Sequence, residues 1–265
     1  RSINVMSDKL ERTINQLRNS NIELEKDIEE KSKIDEMRKS FISDVSHELK
    51  TPIALIQGYS EGLLENVNTD EESRKFYAEV ILDETNKMDK LVKQLLELMK
   101  LEYGKRQFND KKFNIVEVEK EVVRKSKVML EEKKVKIEFN LSEEINVFAD
   151  DFYIEQVISN YITNAIKHVK EIDGKKVISI VNEVNIEKNK VRVKIFNTGE
   201  NIAEEHINRI WNRFYKVDES RNRTDGGTGI GLSFVKAIMN NYGNRYGVTN
   251  KDDGVEFYFD LDLIV

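Results

Sequence analysis

The stretch FISDVSHELKTPI, residues 41–53, decides the fold of the first half of the chain. Apolar residues recur at every third or fourth position from Phe41 to Leu63, and this spacing predicts one long amphipathic helix. His47 lies off the apolar stripe, so we expect its side chain to face solvent. Pro52 is the only proline in the chain, and inside a helix it lacks an N–H donor and crowds the preceding turn. We therefore expect the helix to bend or loosen there.

A second amphipathic helix is predicted after a polar turn that runs from Asn66 to Asp70. Thr69 or Asp70 can cap this helix, and its apolar residues keep helical spacing from Tyr77 to Leu101. Two long helices joined by a short turn predict an antiparallel hairpin. Each helix carries an apolar stripe too long to bury against one partner, which predicts that two hairpins pair as a dimeric four-helix bundle.

The first 35 residues predict a coiled-coil helix, with a single amphipathic helix packed on a globule as the alternative. Asn21 occupies an a position of the heptad, where a polar residue costs stability but fixes register and strand number. The apolar phase slips by one residue before Ile34, which changes the local winding of a coil. The a and d positions of this seam are Leu10, Ile14, Leu17, Asn21, Leu24 and Ile28.

After a break in the helical pattern, strands and helices alternate along the chain. This alternation predicts an α/β sandwich, in which a mixed sheet is covered by helices on one face. Strands are predicted over 113–116, 135–141, 176–187, 190–196, 246–249 and 254–262, and helices over 116–132, 150–170, 203–214 and 229–242. The predicted domains are a coiled-coil signalling helix, a helical hairpin, a linker and an α/β domain, over 1–35, 36–102, 103–112 and 113–265.

Composition argues against several classes of function. The formal net charge of −6 argues against a nucleic-acid-binding protein, whose surface would be basic. The chain contains no cysteine, which excludes disulfides, thiol catalysis and cysteine-based metal sites. No run of 18 apolar residues is present, so no membrane span is expected in this stretch.

The residues around His47 suit phosphoryl chemistry. An exposed imidazole can attack a phosphoryl group through an unprotonated nitrogen. The carboxylate of Glu48 can accept the proton of the other nitrogen and so hold the tautomer, while Thr51 shares the helical face of His47. For an isolated His–Glu pair, an ordinary solvated histidine is the competing interpretation.

Two further stretches suit the binding of phosphates. Asn160, Asn164 and Lys167 share one face of a predicted helix, and carboxamide oxygens are suitable ligands for Mg²⁺. The glycine-rich run TDGGTGIGL, residues 224–232, precedes another helix, where backbone N–H groups can approach phosphates. This run fits neither the Rossmann nor the Walker pattern. The competing interpretations are a solvated helix face and a flexible surface turn.

Two shorter segments complete the pattern. FNTGENI, residues 196–202, ends a strand with a polar side chain and a glycine, which suits contact with the edge of a flat base. WNRFYK, residues 211–216, is an aromatic cluster, for which anchoring in the core is the alternative.

In this order and spacing, the five stretches resemble the H, N, G1, F and G2 boxes of bacterial sensor histidine kinases of two-component systems. The upstream coil resembles the end of a HAMP domain and its connecting helix. The resemblance implies a histidine phosphotransfer hairpin followed by an ATP-binding domain of the Hsp90, gyrase and histidine-kinase type. It implies that the chain phosphorylates its own histidine from Mg²⁺ and ATP, transfers the group to an aspartate of a response-regulator receiver domain, and acts as a phosphatase.

The resemblance also implies roles for individual residues. His47 would be the phosphoacceptor, Glu48 its general base or orienting carboxylate, and Thr51 the residue that positions water for dephosphorylation of the partner. Asn164 and Asn160 would be the Mg²⁺ ligands. The residues implied to bind ATP are Asn160, Asn164, Lys167, His168, Asn197, Gly199, Ile202, Phe214, Tyr215, Arg221, Gly227, Thr228, Gly229, Gly231 and Leu232.

Asn197 departs from the family pattern, which has an aspartate that accepts a hydrogen bond from the adenine amino group. Asparagine keeps an acceptor oxygen, so adenine recognition can survive in neutral form. Kinases of the VanS type also carry asparagine there, which leaves a VanS-like subgroup open. One alternative function is a degenerate kinase that acts as a dimeric scaffold or a phosphatase. A further alternative is another ATPase of the same fold, but such ATPases carry a catalytic glutamate at the position of Asn160.

The expected partners are a second copy of the chain, as a homodimer, and a response regulator, without nucleic acid. The expected location is the cytoplasmic side of the bacterial cell membrane. We expect any membrane anchor to lie in segments N-terminal to this stretch, because the stretch itself contains no apolar run of the required length.

Overall fold

The structure is a computed structural model, and it describes residues 2–67, 70–103, 107–140, 144–217 and 228–264. Its contacts divide the chain into two compact units, Arg1–Met88 and Asp89–Val265. The boundary between the units falls inside the second helix, so this helix contributes residues to both.

The first unit is built from helix α1 (Ser2–Leu64) and the first half of helix α2 (Glu71–Tyr103). Helix α1 continues without interruption through Pro52. Asp70 caps α2, because its Oδ1 accepts the backbone N–H of Ser73 at 2.7 Å, and this bond lowers the pKa of the Asp70 carboxyl.

Aromatic packing closes the turn between the two helices. The ring of Tyr59 on α1 meets the rings of Tyr77 and Phe76 on α2, with centroids 4.8 and 6.2 Å apart. Gly62 permits this approach, since a β-carbon there would lie 2.6 Å from the Tyr77 ring. Because residues at matching distances from the turn are in contact, the two helices run antiparallel, which confirms the predicted hairpin.

The apolar seam of the predicted coil is exposed in the single chain. Leu17 is 60% exposed and Ile28 is 65% exposed, and Ile14 and Leu24 are also exposed. The side chain of Leu10 lies outside the described residues.

In its described residues, the second unit contains five helices and seven strands in addition to the end of α2. The helices are α3 (Ile115–Lys125), α4 (Lys127–Glu132), α5 (Asp151–His168), α6 (Glu204–Ile207) and α7 (Gly231–Tyr242). The strands are β1 (Lys111–Asn114), β2 (Lys136–Asn140), β3 (Asn146–Ala149), β4 (Val177–Asn185), β5 (Lys190–Thr198), β6 (Tyr246–Lys251) and β7 (Gly254–Asp262).

Five strands form one mixed sheet in the order β2-β4-β5-β7-β6, in which only the β2–β4 pair is parallel. Side chains alternate along β5, so that Val191, Val193 and Ile195 are buried. The buried side of α5 also contributes to this core, with Ile158 and Ile162 fully enclosed. The predicted sandwich of a mixed sheet and helices is therefore confirmed.

Several sequence-based expectations for this unit differ from the structure. The single helix expected over 116–132 is divided at Ser126 into α3 and α4. The strand expected over 113–116 ends at Asn114, whose side chain caps α3.

The helix expected over 203–214 is only the four-residue α6, because the chain then follows a series of turns to Phe214, which has a left-handed backbone (φ 59°). The small antiparallel pair of β1 and β3 was not predicted as a sheet of its own. Strand β3 is four residues long, and so short a run gives too little alternation to distinguish it from a loop.

The last turns of α2 pack into the second unit. Tyr153 Oη donates a hydrogen bond to Glu97 Oε1 at 2.5 Å, and Asn241 Nδ2 donates to the carbonyl of Leu101 at 2.9 Å. Four leucines on this part of α2 are buried, namely Leu91, Leu95, Leu98 and Leu101. The end of the hairpin helix is therefore part of the core of the α/β unit.

Candidate functional site

His47 lies on α1 with an exposed side chain, as its place off the apolar stripe predicts. Thr51, one turn further along, is also exposed, while Glu48 is half-buried. Residues four apart on a helix share a face, so the imidazole and the threonine hydroxyl point to the same side. A reacting group that approaches this face from solvent meets both side chains.

Helix α5 carries the predicted phosphate and metal-binding residues on its half-buried face. Asn160 Nδ2 donates to the carbonyl of Gln156 at 2.9 Å, which leaves the Asn160 oxygen free to accept or to ligate. No hydrogen bond involves the Asn164 carboxamide within the described parts of the chain. Lys167, three residues further along, is half-buried. The two carboxamides and the lysine therefore form one polar stripe.

Gly231 brings the start of α7 against this stripe. A β-carbon at Gly231 would lie 2.7 Å from Asn160 Oδ1, which is closer than real β-carbons approach. Within the described parts of the chain, no side chain caps α7, so the N–H groups of its first turn, which includes Leu232, keep their capacity to bind an anion. The structure thus places a helix N-terminus beside the Asn160 oxygen.

The end of β5 meets the end of α5. Asn197 is only 3% exposed, and its Nδ2 donates to the carbonyl of Thr198 at 3.1 Å. Gly199 packs so closely that a β-carbon would lie 2.8 Å from the carbonyl oxygen of His168. Thr198 Oγ1 donates to the carbonyl of Lys170 at 2.8 Å and fastens the two ends together. His168 is therefore a close neighbour of Asn197 and Gly199, although it comes from a different box of the sequence.

Asn250 on the edge strand β6 holds Ile202. Its Oδ1 accepts the backbone N–H of Ile202 at 3.0 Å, and its Nδ2 donates to the carbonyl of Ile202 at 2.8 Å. The side chain thus satisfies both backbone groups of Ile202, as a neighbouring strand would. Sequence reasoning missed Asn250, and no local signal marks it, because it lies 48 residues from its partner.

Phe214 and Gly229 are joined through their backbones. The backbone N–H of Phe214 donates to the carbonyl of Gly229 at 2.9 Å. Tyr215 follows directly, and its Oη lies 2.6 Å from His206 Nδ1. Thr228 Oγ1 donates to Gln94 Oε1 of α2 at 3.2 Å, and Arg213 pairs with Glu102 of α2. Arg221 and Gly227, two predicted nucleotide contacts, lie outside the described residues.

These residues fit a nucleotide bound with Mg²⁺. Gly199 and Gly231 pack closely against His168 and Asn160, where a side chain would intrude, and the Asn160 and Asn164 carboxamide oxygens are neutral hard donors of the type that Mg²⁺ binds. Among the described residues, no cluster of three or more acidic or histidine side chains could hold a metal alone. A Mg²⁺ ion that is bound mainly by phosphates and water needs only one or two protein oxygens.

Comparison with known proteins agrees with this geometry. Residues 37–104 match the family model of the His Kinase A (phospho-acceptor) domain. Residues 149–264 match that of the Histidine kinase-, DNA gyrase B-, and HSP90-like ATPase. The chain is 31% identical to Sensor protein SrrB of Staphylococcus aureus (strain N315) over 85% of the chain. The chain spans 38% of the length of that relative.

Solved structures give the same result. The Acinetobacter baumannii histidine kinase AdeS is 25% identical with a TM-score of 0.68, over 83% of this chain and 98% of that one. Histidine kinase ThkA, in a complex with response regulator protein TrrA, is 27% identical with a TM-score of 0.64, over 84% of this chain and 60% of that one. The chain belongs to the sensor histidine kinases of two-component systems.

None of the described helices is both long enough and apolar enough to cross a bilayer.

Proposed function

We propose that this chain transfers the γ-phosphoryl group of ATP to His47. The observation that supports it is the presence, in one chain, of an exposed histidine on a helix of phospho-acceptor type and of two carboxamides and closely packed glycines beside a helix N-terminus. The histidine supplies the nucleophile, and the second group of residues suits the binding of ATP, the phosphoryl donor.

In this proposal one unprotonated imidazole nitrogen of His47 attacks the γ-phosphorus. A nitrogen–phosphorus bond forms, the bond from phosphorus to the bridging oxygen breaks, and ADP leaves with the electron pair. The proton on the second nitrogen is held by the Glu48 carboxylate, which stabilises the positive charge that develops on the ring. Thr51, on the same helical face, would position a water molecule for dephosphorylation of the partner.

Different residues of the proposed pocket would contact different parts of the nucleotide. The Asn197 oxygen would accept from the adenine amino group, with Gly199 and Ile202 beside the base. Mg²⁺, held by Asn164 with Asn160, would neutralise charge on the phosphates. The remaining contacts to ribose and phosphates would come from Lys167, His168, Phe214, Tyr215, Arg221, Gly227, Thr228, Gly229, Gly231 and Leu232.

We further propose that the chain acts as a homodimer and passes the phosphoryl group to an aspartate of a response regulator. The exposed apolar seam around Leu17 and Ile28 supports dimerisation through a coiled coil over 1–35, because an isolated row of apolar side chains is costly to leave in water. The complex of ThkA with TrrA supports the choice of partner. In the whole protein, this part would lie on the cytoplasmic side of the membrane.

Phosphorylation can be tested directly. Incubation of the chain with γ-labelled ATP and Mg²⁺ should give label that is stable in base and lost in acid, as expected for phosphohistidine. His47→Gln should abolish the label, while Ser46→Ala, which changes the exposed neighbouring residue, should keep it. Equal labelling of His47→Gln would contradict the proposal.

Asn197 favours a second candidate, a scaffold or phosphatase with weak nucleotide binding. A neutral acceptor binds the adenine amino group more weakly than a carboxylate does. Calorimetry with Mg-ADP separates the two candidates, because a kinase should show saturable binding and a scaffold should not. The free oxygen left by the bond from Asn197 Nδ2 to Thr198 supports the kinase.

A further inference from the structure

His206 stands outside every motif of the sequence analysis, yet it contacts the predicted nucleotide-binding residue Tyr215. Its Nδ1 lies 2.6 Å from Tyr215 Oη, and its Nε2 faces Glu205 Oε1 at 3.5 Å. The guanidinium of Arg209 lies over the Tyr215 ring, 4.6 Å from the centroid. The tyrosine is therefore held at its hydroxyl and across one ring face.

The surroundings determine which atom donates. A carboxylate 3.5 Å from Nε2 favours the tautomer that carries its proton on Nε2, because negative charge nearby stabilises a proton on that nitrogen. Nδ1 is then the acceptor, and the Tyr215 hydroxyl donates to it. Glu205, His206 and Tyr215 thus form an ordered chain of polar contacts.

Helix α6, which carries His206, joins two walls of the proposed pocket. On one side, Ile202 is fixed by Asn250 only two residues before α6 begins. On the other side, Tyr215 follows Phe214, whose left-handed backbone (φ 59°) and bond to Gly229 set the direction of the chain. The contact of His206 with Tyr215 connects α6 to this second wall.

We infer that His206 is a positioning residue of the nucleotide pocket, which fixes Tyr215 before nucleotide arrives and does not itself contact the nucleotide. The inference rests on the proposed function, in which Phe214 and Tyr215 border the nucleotide. A side chain that is already ordered loses less entropy on binding, so the His206–Tyr215 bond should increase affinity. It should not change the rate of the chemical step, because neither residue takes part in the reaction.

Three variants test the bond from both ends. His206→Leu removes the acceptor and Tyr215→Phe removes the donor, and each should weaken the binding of Mg-ADP by roughly 2–10-fold, the value of one neutral hydrogen bond. His206→Asn retains an acceptor at the δ position and should recover most of the affinity. Glu204→Gln, at an exposed position of the same helix, is the matched control and should bind as the unmodified chain does.

The double variant His206→Leu with Tyr215→Phe should bind Mg-ADP about as tightly as the single variant with the lower affinity, because both changes remove the same hydrogen bond. In labelling assays, the KM for ATP should rise while kcat at saturating ATP stays constant. Additive losses in the double variant, a fall in kcat alone, or full affinity in His206→Leu would overturn the inference.

A measurement without nucleotide separates this inference from the proposed function. In the nucleotide-free protein, the ¹⁵N chemical shift of His206 Nδ1 should report an acceptor nitrogen and should move in Tyr215→Phe. If the unmodified chain shows the acceptor-type Nδ1 chemical shift but binds no nucleotide, only the proposed function is contradicted. A chain that binds nucleotide with an unchanged Nδ1 shift in Tyr215→Phe contradicts the inference alone.

Discussion

The backbone N–H of Phe214 donates to the carbonyl of Gly229 at 2.9 Å, and the two residues approach so closely that a β-carbon on Gly229 would lie 2.7 Å from Phe214 Cα. Both residues have positive φ, 59° for Phe214 and 68° for Gly229. This contact between Phe214 and Gly229 joins residues 15 positions apart and lies beside several proposed nucleotide contacts.

Replacement of Gly229 should therefore damage both stability and nucleotide binding. Gly229→Ala adds a β-carbon that meets backbone atoms, which cannot move aside as a flexible side chain can. Gly243→Ala is a matched control, because Gly243 also has a left-handed backbone (φ 65°) but has nothing within 4 Å of the added carbon. Both should lose about 1–2 kcal/mol to the backbone conformation. Gly229→Ala should lose roughly 1–3 kcal/mol more from overpacking. Equal urea midpoints for the two variants would show that the contact between Phe214 and Gly229 tolerates a side chain at position 229.

Gly231 should separate nucleotide affinity from stability. A β-carbon there meets the end of the Asn160 side chain, which can rotate away at the expense of its bond to Gln156. We expect Gly231→Ala to change the free energy of unfolding by less than about 1 kcal/mol, the value of one hydrogen bond. The Kd for Mg-ADP should rise about tenfold or more, a loss of about 1.4 kcal/mol in binding.

Gly58→Ala is the control for Gly231→Ala, because Gly58 lies inside α1 with nothing within 4 Å of an added β-carbon. It should stabilise the helix by about 0.5–1 kcal/mol and leave the Kd unchanged. An unchanged Kd in Gly231→Ala as well would count against the role proposed for Asn160.

Asn250 should prove to be a structural support of the pocket. Asn250→Ala leaves both backbone groups of Ile202 without their side-chain partner, and it should cost about 1–3 kcal/mol and weaken Mg-ADP binding. Asn250→Asp keeps an acceptor for the Ile202 N–H but loses the donor to its carbonyl, so its effect should be intermediate. Thermal unfolding together with calorimetry checks the order of the three proteins. An aspartate variant as damaged as the alanine variant would indicate that the donor alone carries the effect.

Glu119 should make stability depend on pH. Its carboxyl on α3 is fully buried, and burial raises its pKa from 4.5 to about 7, an effect only partly offset by a hydrogen bond from Asn182 Nδ2. Glu119 Oε1 and Asn182 Oδ1 are both buried, and neither has a hydrogen-bond partner among the residues that the structure describes. A protonated carboxyl supplies the missing donor, so the folded state favours the neutral acid.

The sign of the pH effect follows from these values. Between pH 4.5 and about 7, the folded state keeps the Glu119 proton while the unfolded state has lost it, so stability falls as the pH rises. The contribution is fully present below pH 4.5 and is lost above pH 7, a change of about 3 kcal/mol. Urea unfolding of the chain and of Glu119→Gln at pH 5 and pH 8 tests this. The glutamine variant, which cannot ionise, should lose less stability over this interval, and identical losses would place the effect elsewhere.

Local order in the chain determined much of the fold and of the candidate site. The hairpin follows from the apolar spacing on either side of one polar turn, and the exposure of His47 follows from its place off the stripe. Asn160 and Asn164 share a face because they lie four apart on one helix. Such features depend on periods of three to four residues, which a single sequence displays directly.

The tertiary structure alone decided which distant side chains support these residues. The bonds from Asn250 to Ile202 and from Asn182 to Glu119 join positions 48 and 63 residues apart, and sequence spacing carries no trace of them. The turns after α6, and the packing of the end of α2 into the α/β unit, also arise from long-range contacts that override local helical periodicity. The physical reason is that a buried polar group must find its partner wherever the folded backbone places one, and only the complete packing of the chain specifies that place.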